Sequence, residues 1–237
     1  MLFSAHVYDS NPLKAMTRAA PTTPNAPGLL SARTAVCAPF SEAFFGTPQF
    51  GREAMLACWE SEADLDKFLE QNPLGADAAT GWHMRLELVR AMGVFPGLDQ
   101  DLNEIAGDKA ATMTGPSVAV TCGTAYLTTA TQFYKVNKGL ERQFINTPEG
   151  RWGTAMTNLI TRFVATLTVW DSLDAATDYV RTGAHGEAAK NHYDPKKDTT
   201  GHTFVTNGGF LGFRPLSMHG EVGGKNAVSS ALLESIS

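Results

Sequence analysis

The stretches CWESEADLDKFL, residues 58–69, and VWDSLDAATDYV, residues 169–180, carry a tryptophan, an acid and a serine in the same order 111 residues apart. At that spacing Phe68 meets Tyr179 and Leu69 meets Val180. An apolar run precedes each tryptophan, Ala54 to Trp59 and Phe163 to Trp170, and reads as a buried strand. The serine that follows suits a helix N-cap, because its hydroxyl accepts from backbone N–H groups of the first turn. The acids around it are favoured by the helix dipole. Leu65, Phe68 and Leu69 fall at i, i+3 and i+4, one face of a helix. Used twice, this unit marks an internal repeat.

Each half extends outward in the same way. Leu2 to Tyr8 alternates as a strand, Pro12 to Ala20 reads as a short helix with proline in its first turn, and Gly28 to Phe40 returns as a strand. In the second half Ser117 to Leu127 reads as a strand, Thr129 to Ile145 as a helix with Phe133, Val136 and Leu140 on one side, and Arg151 to Ile160 as a strand. Closing strands are expected at Ala91 to Pro96 and Phe210 to Pro215, where GVFP and GFRP echo each other. Gly75 to Arg90 reads as an additional helix, and Asn191 to His202 as a charged loop or lid.

The order β-α-β-β-α-β is the ferredoxin-like unit. Its sheet has helices on one face only, so the other face must be covered. Packing the two sheets together within one chain achieves this. The expected fold is α+β, with tandem ferredoxin-like repeats forming a barrel of the dimeric α+β barrel type. Residues 1–98 form the first repeat, 99–116 a linker, 117–220 the second repeat and 221–237 a tail.

Composition narrows the function. With 43% hydrophobic and 18% charged residues, the 237-residue chain suits an extensive core or a homodimer. The net charge of −5 and the brevity of the basic run Lys190 to Lys197 argue against nucleic-acid binding. Cys37, Cys58 and Cys122 are too scattered for a disulfide framework or a zinc site. They read as small apolar residues packed in strands. The start MLFSAHVYDSNP lacks the pattern of a secretory leader, and no apolar run approaches the roughly 18 residues of a membrane span. A cytoplasmic address is therefore expected. NGGFLG at 207–212 lacks the context of a dinucleotide loop, and no GxSxG elbow or phosphate-binding P-loop occurs.

From Phe163 to Gly220, a strand ending in tryptophan is followed by a short helix, an R-x-G-x-H run with small residues (Arg181, Gly183, His185, Ala188, Ala189) and a closing F-R strand. This resembles the C-terminal half of the spheroidene monooxygenases. The resemblance implies a branch of the dimeric α+β barrels that also holds haem enzymes such as chlorite dismutases, dye-decolourising peroxidases and aldoxime dehydratases. It further implies haem b, an electron-donor protein and a small apolar organic substrate. The insert NHYDPKKDTT at 191–200 departs from the carotenoid enzymes, which leaves the substrate open.

On this reading His185 is the axial ligand to iron, presented where Gly183, Ala184, Gly186, Ala188 and Ala189 let a porphyrin approach the backbone. The corresponding residue of the first repeat is Leu74, so one site per chain is expected. The competing reading is a surface histidine capping a helix. Lys190 and Arg214 are candidate partners for the haem propionates. Arg214 could also serve catalytically on the distal side, or simply snorkel from a strand end. Phe213 and Phe210 are candidates for an apolar pocket wall, with core packing the safer reading. Trp59 and Trp170, repeated, read as core. His6 alternates within the first strand as a core or rim residue, His83 falls in the inserted helix, His192 lies seven residues beyond His185, and His202 and His219 lie in loop-like segments. No HxxxH or HExxH spacing supports a non-haem pair, though an iron site of two histidines and a carboxylate drawn from distant positions stays open. Two alternatives stand beside a haem monooxygenase: a haem dehydratase or rearrangement enzyme, and a cofactor-free barrel that binds a hydrophobic ligand.

Overall fold

The structure is a computed structural model that describes residues 1–41, 49–183, 186 and 205–221, with every side chain among them except those at 129–132 and 134. Its first half contributes β1 (Leu2–Asp9), β2 (Leu29–Pro39), β3 (Gln49–Trp59) and β4 (Trp82–Gly93). Its second half contributes β5 (Ser117–Ala125), β6 (Gly150–Asn158), β7 (Phe163–Trp170) and β8 (Val205–His219). These close into one antiparallel barrel in the order β1-β3-β2-β6-β7-β5-β8-β4. Within each half the order is that of a ferredoxin-like sheet, and the seams β2–β6 and β4–β8 join the halves. The α+β tandem barrel read from the repeat is therefore the fold. Closure leaves no free strand edge, so a homodimer would have to form through another surface.

Among the described residues six helices accompany the strands: α1 (Pro12–Thr17), α2 (Glu62–Gln71), α3 (Pro73–Ala79), α4 (Leu102–Ala106), α5 (Ala130–Ile145) and α6 (Leu173–Arg181). The repeated caps behave as their chemistry requires. Ser61 Oγ accepts from Asp64 N at 3.3 Å, and Ser172 Oγ accepts from Ala175 N at 3.1 Å. Trp59 and Trp170 are both buried outside the barrel wall, under α2 and α6. Trp59 lies 5.0 Å from the Phe68 ring and Trp170 lies 4.9 Å from Tyr179, so the paired positions in sequence are paired in space.

Alternation fills the interior. Phe3, Ala5 and Val7 of β1, Leu56 and Cys58 of β3, Leu86 and Leu88 of β4, and Val118, Val120 and Cys122 of β5 meet in one core. A void of about 10 Å³ among Phe3, Leu56, Phe95, Phe213 and their neighbours leaves no ligand chamber there. All three cysteines are buried in this core, and burial pushes each thiol up to about 12, which keeps it protonated and inert.

The expected helix over Gly75 to Arg90 stops at Ala79, and β4 begins at Trp82 rather than at Ala91. The reason is a period of two: Trp82, Met84, Leu86 and Leu88 point into the barrel, while His83, Arg85 and Glu87 point out. The closing strand β8 likewise extends beyond Phe210 to Pro215 in both directions. The linker is not bare, since α4 and a 3-10 turn at Lys109–Thr112 lie within it. The expected lid at 191–202 and the tail from 222 lie outside the described residues.

Candidate functional site

The barrel interior is closely packed, which leaves the outer surfaces of the two sheets to be compared. Strand register allows the two helix-facing surfaces to be compared position by position. In the first half one row runs Thr34–Met55–His6–His83 across β2, β3, β1 and β4. Its counterpart, matched at the 111-residue offset of Met55 and Thr166, runs Ala155–Thr166–Thr121–Phe210 across β6, β7, β5 and β8. In the next row the first half has Glu53 beside Tyr8, and the second has Val164 beside Gly123.

The first row is sealed. Met55 and His6 are 0% exposed, Thr34 is 3% and His83 is 9%. In the second row Ala155, Thr166 and Thr121 are partly exposed and only Phe210 is buried. The second half therefore offers a shallow floor of methyl, hydroxyl and backbone groups beneath α5 and α6. At one end this floor is walled by Phe40, Phe144, Trp170 and Tyr179. Tyr179 Oη donates to Leu140 O at 2.8 Å, and burial beside Glu141 keeps the phenol protonated. On α5 the buried Lys138 Nζ lies 2.5 Å from Glu141 Oε2. These groups can hold an apolar molecule and orient a polar end. The small side chains of the floor supply neither a general base nor a metal donor.

The first half spends its helix-facing surface differently. Glu53, 0% exposed, has Arg18 Nε 3.2 Å from its Oε2, and Arg18 Nη2 lies 3.0 Å from Asp77. Burial raises the Glu53 carboxyl, opposed by Arg18, and raises the Tyr8 phenol. His6 is pushed down to about 3 by burial, then by His83 and Arg85. Both of its ring nitrogens lack a hydrogen-bond partner among the described residues.

Of the residues expected to contact haem, Phe213 and Arg214 are described, and they face opposite sides of the sheet. Phe213 faces the barrel core at 2% exposure, whereas Arg214, next along β8, faces outward. Arg214 Nη1 donates to Glu87 Oε2 at 2.9 Å, and Lys109 approaches the other Glu87 oxygen at 3.4 Å. His185 and Lys190 lie outside the described residues, as do His192 and His202. The flanking glycines are described: Gly183 has φ +54°, and Gly186 N donates to Thr182 O at 2.9 Å. Phe210 stands on the helix-facing surface of the second sheet and packs with Trp170. Sequence reading missed the row that brings His6, His83 and His219 side by side. The signal was present, because the alternation of Trp82, Met84 and Leu86 marks His83 as a strand residue.

An open groove of about 440 Å³ lies between the linker and the start of α6, lined by Arg90, Asp108, Ser172 and Asp174 among others. Arg90 Nη1 donates to Thr177 Oγ1, which ties the linker end of β4 to α6. Among the described residues no group of three or more histidine, cysteine or acidic side chains converges as a metal site, and no helix is long and apolar enough to cross a membrane.

No known family and no curated protein matches the sequence. Solved structures are similar to it at low identity. A ferredoxin-fold protein of Listeria monocytogenes related to antibiotic-biosynthesis monooxygenases is 11% identical, covering 91% of this chain and 95% of its own at a TM-score of 0.35. A monooxygenase-like protein of Listeria innocua is 12% identical over 90% and 94%, at 0.34. A heme-degrading enzyme of Listeria monocytogenes is 9% identical over 89% and 98%, at 0.34. Likenesses of this size extend to the layout of the chain and no further.

Proposed function

We propose that the second half is the ligand-binding half, and that it takes a small apolar organic molecule between its sheet and α5 and α6. The observation that carries this reading is the contrast of equivalent rows: Met55 and His6 fill the first, while the partly exposed Thr166 and Thr121 leave the second more open. Apolar floors with few polar groups are the usual form of small-molecule sites.

The chemistry we assign is haem-dependent monooxygenation. It rests on the sequence run Arg181, Gly183, His185, which begins at the last residue of α6. Haem would supply the oxygen-activating metal, with His185 as its protein ligand and Lys190 as a propionate partner. Among the described residues the support for haem is limited to the small side chains at three of the four positions of that row, Ala155, Thr166 and Thr121. Arg214 does not contribute to that support, because its guanidinium is held by Glu87 beside the linker. The second reading, a cofactor-free pocket for an apolar ligand, is favoured by the lack of any imidazole among the described residues on the floor.

Absorption spectra with added haemin decide between them. A Soret band near about 400 nm that is lost in His185→Ala supports the haem enzyme. A wild-type protein that stays colourless with haemin but still binds an apolar dye supports the cofactor-free pocket. With haem bound, oxygen consumption that requires a reductant separates a monooxygenase from a dehydratase.

A further inference from the structure

The β4–β8 seam carries a second device, built from three histidines. His6 of β1 lies opposite His83 of β4, and His83 lies opposite His219 of β8. All three project from the outer face of the barrel. The rings of His6 and His83 stack at 5.4 Å and 18°, and those of His83 and His219 at 5.0 Å and 24°. Exposure rises along the row, from 0% at His6 through 9% at His83 to the solvent-facing His219. His219 Nε2 lies 3.1 Å from Ser217 Oγ, whereas His6 Nδ1 and Nε2 and His83 Nδ1 have no hydrogen-bond partner among the described residues.

Among the described residues no free carboxylate is placed to welcome a proton on the inner rings, and the Gly81 backbone is the one group that favours a proton on His83. On the same surface β4 presents Arg85, whose guanidinium is shared between Glu62 and Asp66 of α2. Glu53 of β3 is paired with Arg18, which follows α1, and Arg18 also holds Asp77 of α3. Tyr8 of β1 is buried beside Glu53, and Ser217 of β8 is neutral. Every carboxylate around the stack is thus engaged by an arginine. The end of β8 also sits where little else fits. Gly220 has φ +76°, and a Cβ there would stand 2.1 Å from Gly81 O, while a Cβ on Gly81 would stand 2.3 Å from Val7 O. This close contact survives only while β1, β4 and β8 stay in register.

We propose that the His6–His83–His219 stack is a pH-operated latch on the seam between the halves: neutral rings clamp the end of β8 to β4, and a proton on His83 releases it. A charge on His83 would stand 5.0 Å, centroid to centroid, from a second imidazole that can also be charged, and against His6, a buried neighbour that cannot share it. Burial and His219 hold the His83 ring below its ordinary value, opposed by the Gly81 backbone.

Hydrogen exchange on the full chain tests the latch. Between about pH 7.5 and pH 5, after correction for intrinsic rates, protection at Trp82 to Arg85 and Ser217 to His219 is expected to fall at least about tenfold further than at Trp170 and its strand. In His83→Phe, which keeps a ring and loses the proton, that extra fall is expected to vanish. Protection that falls no further there than at Trp170 in the wild type, or an extra fall that persists in His83→Phe, overturns the latch. Histidine NMR titration of the wild type is the readout that needs no variant: His83 is expected to titrate together with the loss of protection at Ser217 to His219. Rings that titrate while protection stays intact contradict the latch. So does stoichiometric binding of Zn²⁺ by the three rings at neutral pH, which would make the row a metal site.

Discussion

The two halves share a backbone plan and invert its use. Each places a tryptophan at the end of its third strand, a serine cap after it and an aromatic ring of the following helix against the indole. Two residues further down the strand their neighbours diverge: the first half carries Ser4 and Ala57 there, then His6 and Met55, whereas the second carries Ala119 and Thr168, then Thr121 and Thr166. A buried indole stabilises either sheet, whereas the rows below it differ in how completely they are filled.

If the tryptophans are equivalent anchors, removing either should cost the same. Trp59→Ala and Trp170→Ala are each expected to lose about 3–5 kcal/mol in urea unfolding. A large cost at one and a small cost at the other would break the correspondence. Exchanging the floor residues should be unequal instead. Met55→Thr empties a fully buried site and is expected to cost about 2–4 kcal/mol, whereas Thr166→Met fills a partly exposed one and should stay within about 1.5 kcal/mol.

The buried polar row of the first half predicts acid sensitivity. His6 is held at about 3 in the fold, below its ordinary 6.5, so its contribution to stability is complete above 6.5. It is lost as pH falls from there towards 3, at about 1.4 kcal/mol per pH unit. Unfolding at about pH 7 and pH 5 should therefore differ by about 2 kcal/mol in the wild type through this residue, and by less in His6→Leu. The smallest effect is expected at Arg214→Ala. Its ion pair with Glu87 is partly exposed, and its loss should cost less than about 1 kcal/mol and leave haemin uptake unchanged. Haemin uptake lost in that variant would return Arg214 to the binding half.

Much of this architecture was legible because repeats and periodicity are local signals. Trp59 with Trp170 and Ser61 with Ser172 settled the plan, and the alternation in β1 and β7 settled which residues face the core. The strand at Trp82–Gly93 was legible in its alternation but directly follows a helical stretch, which masked its start. Contacts between distant strands were hidden. The histidine stack depends on register among β1, β4 and β8, whose partners lie far apart in sequence. The same holds for Arg214, whose partner Glu87 is 127 positions away. Side chains that meet only through closure of the barrel leave no spacing to read.

The most direct test of the division of labour is a binding titration of haemin and of an apolar dye against the wild type, Thr166→Met and Met55→Thr. Affinity for at least one of these ligands should fall about tenfold or more when Thr166 is enlarged and should survive the change at Met55, provided that variant is folded at the temperature used. Unchanged binding in Thr166→Met, or binding lost only at Met55→Thr, would place the ligand elsewhere and contradict the account.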